Sequence, residues 1–361
     1  MDSKNNSVPG STSLSGGKRG ATSMKAIQIT EPGKVELIEI SVPSPAADEV
    51  LLKIDYIGFC GSDLATYLGR NPLVSYPRIP GHEIAATIVE KGSDVPSGFM
   101  VGDKVSVVPY TSCGKCASCR KGRFNACKFN QTMGVQRDGA MQEYVTVSYE
   151  KLLKIPGLSP EETALIEPLT VGFHAVERAG VTSDDIVMVL GCGMIGAGAI
   201  SGSVLRKAKV IAVDINDAKL QTASEIGAGH VINSAKTDLH ERLQQILDGE
   251  APDVVIEAAG NPETYRTGVD EAAFAGRMVC IGYAKSEVTF ATKLWVQKEL
   301  DIRGSRNATS EDFDRVTAML QAGSFPSEKV ITKIVKPEQA PDAFREWAAD
   351  PGKVYKIMVR F

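Results

Sequence analysis

Four cysteines in one short polar loop constrain this chain more than any other feature of its sequence. Cys113, Cys116, Cys119 and Cys127 follow the spacing C-x2-C-x2-C-x7-C. Thiolates at this spacing can converge on one tetrahedral ion without ligands from distant sequence. Apparent binding free energies at such sites are about 10–16 kcal/mol, comparable with the net stability of a whole domain. We therefore predict a structural zinc site whose metal decides whether the loop folds.

Two other uses of these thiols compete with zinc. Disulfides are disfavoured because the chain has seven cysteines, an odd number, and no secretory hydrophobic segment precedes the loop in this sequence. An iron–sulfur cluster is the next alternative. Bacterial ferredoxin motifs carry a proline after the last cysteine, whereas Lys128 follows Cys127 here. Zinc remains the prediction.

Length and composition fit a globular protein of two domains. The 361 residues are 43% hydrophobic and 23% charged. A net charge of −4, with basic residues spread along the chain, gives no footprint for nucleic acid. Residues 186–205 carry no charge over about the length of a membrane span, but five glycines favour a strand, a tight turn and a helix. We expect no membrane partner and a cytoplasmic location.

The hydrophobic pattern divides the chain into segments. Residues 1–23 are rich in Ser, Gly and Asn and are predicted to form a disordered leader. Period-two alternation over residues 25–156 predicts antiparallel strands. Over residues 175–303 apolar strands alternate with helical stretches, which predicts βαβ units around a parallel sheet. Residues 354–361 return to strand alternation, so we predict that the α/β unit is inserted into the β-rich one.

A glycine-rich motif follows the predicted strand 186–190. Its glycines have separate tasks: the first permits a turn, the second lets backbone approach a pyrophosphate, and the third lets a helix pack on a strand. The amides at the helix start then face the phosphates. The predicted dinucleotide-binding residues are Gly191, Gly193, Met194, Ile195 and Gly196.

Asp214 ends the next predicted strand, eighteen residues after Gly196. A carboxylate there accepts hydrogen bonds from a ribose diol and repels a 2′-phosphate. Ile215 and Asn216 offer no arginine to offset that repulsion. We therefore predict NAD rather than NADP, with a strand-end turn residue as the alternative for Asp214.

Three further segments carry residues that can ligate a metal. Cys60 lies in Gly-Phe-Cys-Gly-Ser-Asp, His82 and Glu83 lie in Gly-His-Glu, and Glu167 lies in Ile-Glu-Pro. Each segment alone is weak evidence for a metal site, since a lone cysteine is usually a small core residue. Together with the four-cysteine loop and the glycine motif, they resemble the zinc-containing medium-chain alcohol dehydrogenases over residues 24–361.

Three stretches are most similar to the sugar and polyol branch of that family, which includes sorbitol, threonine and L-galactonate dehydrogenase-like proteins. They are Tyr76 to Glu83, Ala164 to Pro168 and Gly304 to Thr309. The resemblance implies an α/β protein: a GroES-like β-rich catalytic domain at 24–174 plus 307–361, and an inserted doubly wound Rossmann domain at 175–306. It also implies two zinc ions per chain, NAD, a small polyol or sugar-acid substrate, and a homo-dimer or homo-tetramer.

The family pattern assigns roles to the candidate residues. Cys60 and His82 are implied zinc ligands, with Glu83 and Glu167 as carboxylates at or next to the metal that exchange with water. Such a set leaves one coordination position open, as a catalytic zinc requires. Zinc lowers the pKa of bound water to about 7, and we expect a comparable lowering of the pKa of a substrate alcohol. Ser62 is implied to take the alcohol proton, while a hydride passes to NAD.

Two positions depart from the family pattern. Ala65 stands where the family has a relay histidine, so proton release must use another route, such as ribose hydroxyls and water. Ala86 stands where the family has a glycine, which affects local packing only. Asp63 is expected to support the fold around the site. Arg306 is expected among the cofactor-binding residues, next to the nicotinamide, where it binds a substrate hydroxyl or carboxylate or forms a structural ion pair.

The remaining histidines and cysteines are predicted to be structural. His174 either lines the proposed metal site or has a structural role, as a packed core residue or a cap. The structural role is favoured. Two other histidines are expected on the surface and two cysteines in the core: His230, His240, Cys192 and Cys280.

Other functions stay open at this point. Within the enzymes, an L-threonine 3-dehydrogenase or a general alcohol dehydrogenase is the alternative to a polyol or sugar-acid dehydrogenase. The zinc-free quinone reductases of the same superfamily are opposed by Cys60, His82 and Glu83. A non-catalytic NAD-binding protein is the alternative outside the enzymes, and intact metal ligands oppose it.

Overall fold

The computed structural model describes residues 22–284 and 286–361. The predicted leader at 1–23 therefore lies almost entirely outside the described residues. The first strand begins at Ser23, one residue before the expected start of structure. No described helix is both long enough and apolar enough to cross a membrane, and the uncharged stretch 186–205 is a strand followed by a helix, as predicted.

The first part of the chain is rich in antiparallel strands. Its elements are β1 (Ser23–Glu31), β2 (Lys34–Ser41), β3 (Glu49–Gly58), α1 (Gly61–Tyr67), β4 (Glu83–Lys91), β5 (Lys104–Val107), β6 (Tyr144–Ser148) and β7 (Leu152–Lys154). β1 and β2 form a two-stranded sheet. The other strands belong to a larger sheet, in which β3 and β4 pair antiparallel.

A parallel sheet follows after the long helix α2 (Pro160–Ala179). Its elements are β8 (Ile186–Leu190), α3 (Met194–Leu205), β9 (Lys209–Asp214), α4 (Asp217–Ile226), β10 (His230–Asn233), α5 (Leu239–Leu247), β11 (Val254–Glu257), α6 (Pro262–Glu271), β12 (Arg277–Cys280), α7 (Lys293–Gln297) and β13 (Asp301–Gly304). The strand order β10-β9-β8-β11-β12-β13 reverses direction at β8 and β11. This is the doubly wound arrangement that binds dinucleotides where the order reverses.

The chain then returns to the first sheet. The closing elements are α8 (Ser310–Gln321), α9 (Ser327–Val330), β14 (Ile331–Val335), α10 (Ala340–Ala349) and β15 (Lys356–Arg360). β15 pairs antiparallel with β3, with Met358 opposite Gly58. The larger sheet runs β14-β15-β3-β4-β5-β7, and β6 also pairs with β3. The prediction of a β-rich unit completed by the last strand is confirmed in topology.

Helix α2 packs between the two sheets. It begins with a capping box in which Ser159 and Glu162 satisfy each other's backbone N–H groups, and it ends at Gly180, whose φ is 64°. Gly172 lets α3 approach closely, because a Cβ there would lie 2.2 Å from a backbone oxygen of α3. The helix runs through residue 174, where a domain boundary was expected, and the exact boundaries stay predictions.

Candidate functional site

The four-cysteine loop folds into a compact lobe between β5 and β6. The four Sγ atoms all lie within 4.8 Å of one another. Cys116 Sγ is 3.5 Å from Cys119 Sγ and 3.8 Å from Cys127 Sγ. These separations exceed the S–S bond of about 2.05 Å, and all seven cysteines, each within the described residues, are free. The arrangement fits one tetrahedral metal ion and opposes the disulfide alternative.

Hydrogen bonds within the lobe favour thiolates, the form that binds metal. Three backbone N–H groups donate to sulfur: Cys116 to Cys113 Sγ at 3.3 Å, and both Phe129 and Cys113 to Cys127 Sγ at 3.3 and 3.4 Å. The Ser118 hydroxyl, 3.1 Å from Cys116 Sγ, lowers the pKa of that thiol to about 5. Burial raises the pKa of Cys119 to about 11, and a bound cation would stabilise its thiolate.

A second cluster of metal-ligating groups lies where β3 meets β4. Cys60 is the N-cap of α1, just after β3, and His82 directly precedes β4. The register of the two strands places Gly58 opposite Glu83. One ligand atom from each of Cys60, His82 and Glu83 lies within 4.8 Å of the other two. Pairing of two strands thus assembles ligands that are far apart in sequence.

Three buried polar atoms beside this cluster have no hydrogen-bond partner in the described structure. They are His82 Nδ1, Ser62 Oγ and Asp63 Oδ1. Buried polar groups are normally satisfied, so a metal ion and a substrate oxygen fit here as the missing partners of His82 and Ser62. Asp63 has the supporting role that was expected, because its Oδ2 accepts a 2.9 Å hydrogen bond from the Cys60 N–H.

Glu83 is held by a lysine that sequence reasoning missed. Lys356 Nζ lies 2.6 Å from both carboxylate oxygens of Glu83. The two side chains are only 3% and 1% exposed. Burial raises the pKa of Glu83, and the charge of Lys356 opposes that rise. The only sequence signal was a lysine inside the alternating pattern of the last strand.

Glu167 occupies a different environment from Glu83. It lies on α2, is buried, and accepts a hydrogen bond from the hydroxyl of Tyr110. Burial, with the charge of Glu167, raises the pKa of that phenol well above its usual value. Glu167 is not part of the group of ligand atoms formed by Cys60, His82 and Glu83. The structure therefore brings Glu83, rather than Glu167, directly among the other ligand atoms.

The glycine motif forms the turn between β8 and α3. Gly191 has φ of 94°, and a Cβ on Gly196 would lie 1.9 Å from the Gly191 carbonyl oxygen, so both positions require glycine. Gly193 is the N-cap of α3, and a Cβ there would meet no atom within 4 Å. The open space before the helix amides of Met194 and Ile195 suits a pyrophosphate.

Asp214 lies at the end of β9 beside this turn. Its Oδ2 accepts from the Cys192 N–H at 2.7 Å, and its Oδ1 accepts from the N–H groups of Ile215 and Asn216 at 2.8 and 2.9 Å. These bonds fix the carboxylate at the edge of the glycine turn. A partly exposed carboxylate in this position can still accept hydrogen bonds from a ribose.

His174 does not reach the metal cluster. It is buried, with Nδ1 2.8 Å from Asp312 Oδ2 and Nε2 2.9 Å from Asn125 Nδ2. Asn125 belongs to the cysteine lobe and also donates to the Arg306 carbonyl at 2.8 Å. The favoured prediction of a core role for His174 is confirmed, and the residue connects the lobe to α2 and α8.

The role of Arg306 at the nicotinamide end of the cofactor site stays a prediction. Arg306 Nη1 is 3.4 Å from the Cys127 carbonyl oxygen, so its side chain contacts the lobe. Cys192 is fully buried, whereas Cys280 is only partly buried, which corrects the expectation for that residue. His230 and His240 are exposed, as predicted.

Comparisons with known proteins agree with this geometry. The family model described as alcohol dehydrogenase GroES-like domain matches residues 46–157, and that described as zinc-binding dehydrogenase matches residues 195–322. L-galactonate-5-dehydrogenase of Escherichia coli K12 is 32% identical over 311 residues, covering 86% of this chain and 91% of its own. Sorbitol dehydrogenases and L-threonine 3-dehydrogenases are 31% to 33% identical.

Solved structures share the whole fold. The alcohol dehydrogenase RspB of E. coli CFT073, solved with NADH, has a TM-score of 0.88 at 32% identity, covering 94% of this chain and 100% of its own. A zinc-binding dehydrogenase of Sinorhizobium meliloti bound to NADP has a TM-score of 0.88 at 28% identity, with the same coverage. The chain belongs to the zinc-containing medium-chain alcohol dehydrogenases, and within them to the sugar and polyol branch.

Proposed function

We propose that this protein oxidises a secondary alcohol of a polyol, sugar acid or related hydroxylated metabolite to the ketone, with NAD as the hydride acceptor. The observation that carries the proposal is the cluster of Cys60, His82 and Glu83 ligand atoms within 4.8 Å of one another. Three protein ligands leave room for substrate, as in catalytic zinc sites. Four ligands, as in the cysteine lobe, close a site and suit a structural ion.

The residues around the cluster have separate tasks in this reaction. When bound, zinc polarises the substrate oxygen and the nicotinamide accepts the hydride. The buried Ser62 Oγ, which has no partner among the described residues, takes the alcohol proton. Ala65 cannot pass that proton on, so Ser62 releases its own proton to water or to ribose hydroxyls. Glu167, held by Tyr110, is the nearby carboxylate that supports the metal or its water.

The substrate class separates the main proposal from its alternative. L-Threonine is also a secondary alcohol, and threonine dehydrogenases are among the relatives. A screen of aldonates, polyols and L-threonine, followed by absorbance of the reduced cofactor, decides between them. We expect turnover with an aldonate or polyol; a preference for threonine would establish the alternative, and no turnover with any alcohol would contradict the proposal.

The choice of NAD rests on Asp214. Its carboxylate is fixed at the glycine turn, and neither Ile215 nor Asn216 supplies a positive charge for a 2′-phosphate. We expect the unmodified protein to bind NAD more tightly than NADP, and Asp214→Ala to reduce that preference by weakening NAD and admitting NADP. Asp217→Ala, an exposed carboxylate three residues further along, is the control. Equal affinity for both cofactors in the unmodified protein would contradict the assignment.

Two zinc ions per chain complete the proposal, one in the lobe and one at Cys60, His82 and Glu83. Elemental analysis of the purified protein should find close to two. Oligomeric assembly, expected as a dimer or tetramer, stays a prediction that light scattering can test.

A further inference from the structure

The cysteine lobe is hydrogen-bonded to the segment that follows β13, and the proposed reaction gives this contact no role. Asn125 Nδ2 lies 2.8 Å from the Arg306 carbonyl oxygen and 2.9 Å from His174 Nε2. In the opposite direction, Asn307 Nδ2 donates to the Asn125 carbonyl at 2.9 Å, and Arg306 Nη1 lies 3.4 Å from the Cys127 carbonyl oxygen. Three hydrogen bonds therefore join the lobe to residues 306 and 307.

The groups around Asn125 determine how its amide is oriented. The Arg306 carbonyl can only accept a hydrogen bond, so the amide nitrogen, rather than the amide oxygen, must face it. The same nitrogen faces His174 Nε2, which therefore accepts and carries no proton. The imidazole proton lies on Nδ1, 2.8 Å from Asp312 Oδ2. Asp312 and His174 thus hold Asn125 in the orientation that reaches Arg306.

Both asparagines at this contact are held at a cost. Asn125 Oδ1 is buried and has no partner in the part of the chain that the structure describes, and an unsatisfied buried polar group costs about 1–3 kcal/mol. Asn307 has φ of 52°, in the left-handed region that few residues other than glycine adopt. Such conformations persist only where the surroundings fix them. The lobe therefore fixes the backbone at residues 306 and 307.

Arg306 lies on the nicotinamide side of the dinucleotide site. The glycine turn after β8 suits the pyrophosphate and Asp214 after β9 suits the adenosine ribose, so the nicotinamide falls over the carboxyl ends of β11 to β13. Arg306 comes two residues after β13 and is half-buried. Its guanidinium forms no ion pair with a carboxylate of the described residues. A half-buried cation without a carboxylate partner can bind an anionic group of a ligand.

We propose that Asn125 is a positioning residue that fixes the backbone at Arg306, so that the unpaired guanidinium binds the carboxylate of a sugar-acid substrate. The inference rests on the proposed function and goes beyond it in two respects. It selects the acids from the proposed substrate class, and it gives an effect on substrate binding to a lobe residue that contacts neither substrate nor cofactor.

The test compares sugar acids with the neutral polyols of the same carbon skeleton, L-galactonate with galactitol and D-gluconate with D-glucitol, in the full-length holoenzyme. We expect the unmodified protein to have the lower KM for the acid of the pair that it oxidises. Asn125→Ala should raise that KM about 10- to 100-fold, because a misplacement of 1 Å can cost about 10²-fold. The KM for the polyol should change less than about threefold, because a neutral substrate does not depend on the charge of Arg306.

Asn130→Ala is the matched control. Asn130 is another buried amide of the lobe, and its side chain bonds only to Thr111 and Thr132 among the described residues. We expect Asn130→Ala to lower the melting temperature and to leave both KM values unchanged. Equal effects of Asn125→Ala and Asn130→Ala on the KM for the acid would show a general structural role and overturn the proposal.

Arg306→Ala tests whether Asn125 acts through Arg306. This variant should raise the KM for the acid as Asn125→Ala does. The double variant should add less than about threefold to the effect of Arg306→Ala, because effects of residues that act through one another are not additive. Effects that multiply in the double variant would show that the two residues act independently and would overturn the proposal.

Hydrogen–deuterium exchange gives a measurement that needs no substrate. In Asn125→Ala the amides of residues 305–309 should exchange about tenfold faster, since one hydrogen bond that fixes this backbone is lost, and Asn130→Ala should leave them unchanged. If Asn125→Ala does not fold, Asn125→Asp replaces it, because it keeps the size of the side chain and removes both N–H donors. Unchanged exchange in a folded variant would contradict the positioning role.

The outcomes also separate this inference from the function on which it rests. No turnover of any sugar acid or polyol would contradict the proposed function, while hydrogen–deuterium exchange would still decide whether Asn125 fixes the backbone at Arg306. Turnover of polyols without a lower KM for the acid in either pair would contradict the role of Arg306 and leave the proposed function intact.

Discussion

The cysteine lobe takes all four ligands from residues 113–127, whereas the cluster at Cys60 takes its ligands from the adjoining ends of β3 and β4 and contacts a lysine on β15. In the lobe, local backbone turns and N–H groups orient the sulfur atoms. At the cluster, tertiary pairing of β3 with β4 and β15 orients every group. The geometry of the lobe therefore depends mainly on its own backbone. The geometry of the cluster at Cys60 depends on the pairing of distant strands.

The largest expected effect is the loss of the lobe metal in Cys116→Ser. Metal binding at such sites is worth about 10–16 kcal/mol, so we expect the loop to unfold and become a site of limited proteolysis. Zinc content should fall from two to one per chain. Cys280→Ser, at a partly buried thiol outside both clusters, is the control. A protease-resistant loop without zinc would show that the lobe folds without its metal.

Cys60→Ser should remove the zinc of the proposed catalytic site and leave the lobe folded. We expect turnover to fall below detection and one zinc to be lost, because a ligand of the proposed catalytic site is removed. The lobe should stay resistant to protease, since none of its hydrogen bonds involves Cys60. Loss of both zinc ions in this variant would break the distinction between the two sites.

Ser62→Ala tests the proton step inside the distributed site. A positioned proton-transfer group contributes about 10²–10⁴-fold, so alcohol oxidation should fall by this factor. Zinc content and NAD affinity should hardly change, because the hydroxyl is a neighbour of the ligands and not one of them. Near-normal turnover with zinc bound would require another proton path.

Ala65→His tests the release of the proton to solvent. It should alter the pH dependence of turnover if proton exit is partly limiting.

The smallest expected effect is on stability and concerns the contacts of His174 with Asp312 and Asn125, which connect the cysteine lobe to α2 and α8. Burial raises the pKa of Asp312, but hydrogen bonds from His174 and the Thr309 N–H more than offset this, and the net pKa is lowered. Asp312→Asn should destabilise the protein by about 1–3 kcal/mol, measured by denaturant unfolding at neutral pH. Because the folded-state pKa is depressed, the advantage of the unmodified protein should shrink as the pH falls below 3.8, the ordinary carboxyl value. Asp314→Asn, on the same helix, is the control.

The cysteine lobe is local in sequence and the cluster at Cys60 is not, and this difference determines how much of each could be predicted from the sequence. The cysteine spacing and the glycine motif are local, so their geometry could be predicted from residues 113–127 and 191–196. The doubly wound sheet followed from apolar strands at regular intervals. The ligands Cys60, His82 and Glu83 could be connected only through resemblance to a family, because nothing in the spacing of positions 60 and 82 shows that their strands pair.

The partners of the site residues were beyond sequence reasoning. Lys356 meets Glu83 across 273 positions, and Asp312 meets His174 across 138. Such contacts depend on which strands and helices become neighbours, which single-sequence patterns do not specify. Glu167 shows the same limit: its assignment beside the metal did not reveal Tyr110 as its partner.

The pairing of β15 with β3 also bears on how the protein is made. The Phe59 N–H donates to the carbonyl of Ile357, and Lys356 completes the surroundings of Glu83. Proteins are synthesised from the N-terminus, and early segments fold as they emerge. The β15 partner of β3, and the lysine that neutralises Glu83, are therefore missing until residue 356 has been synthesised, 273 positions after Glu83. A nascent chain released short of residue 356 would carry the ligands Cys60, His82 and Glu83 but not the charge that restrains one of them.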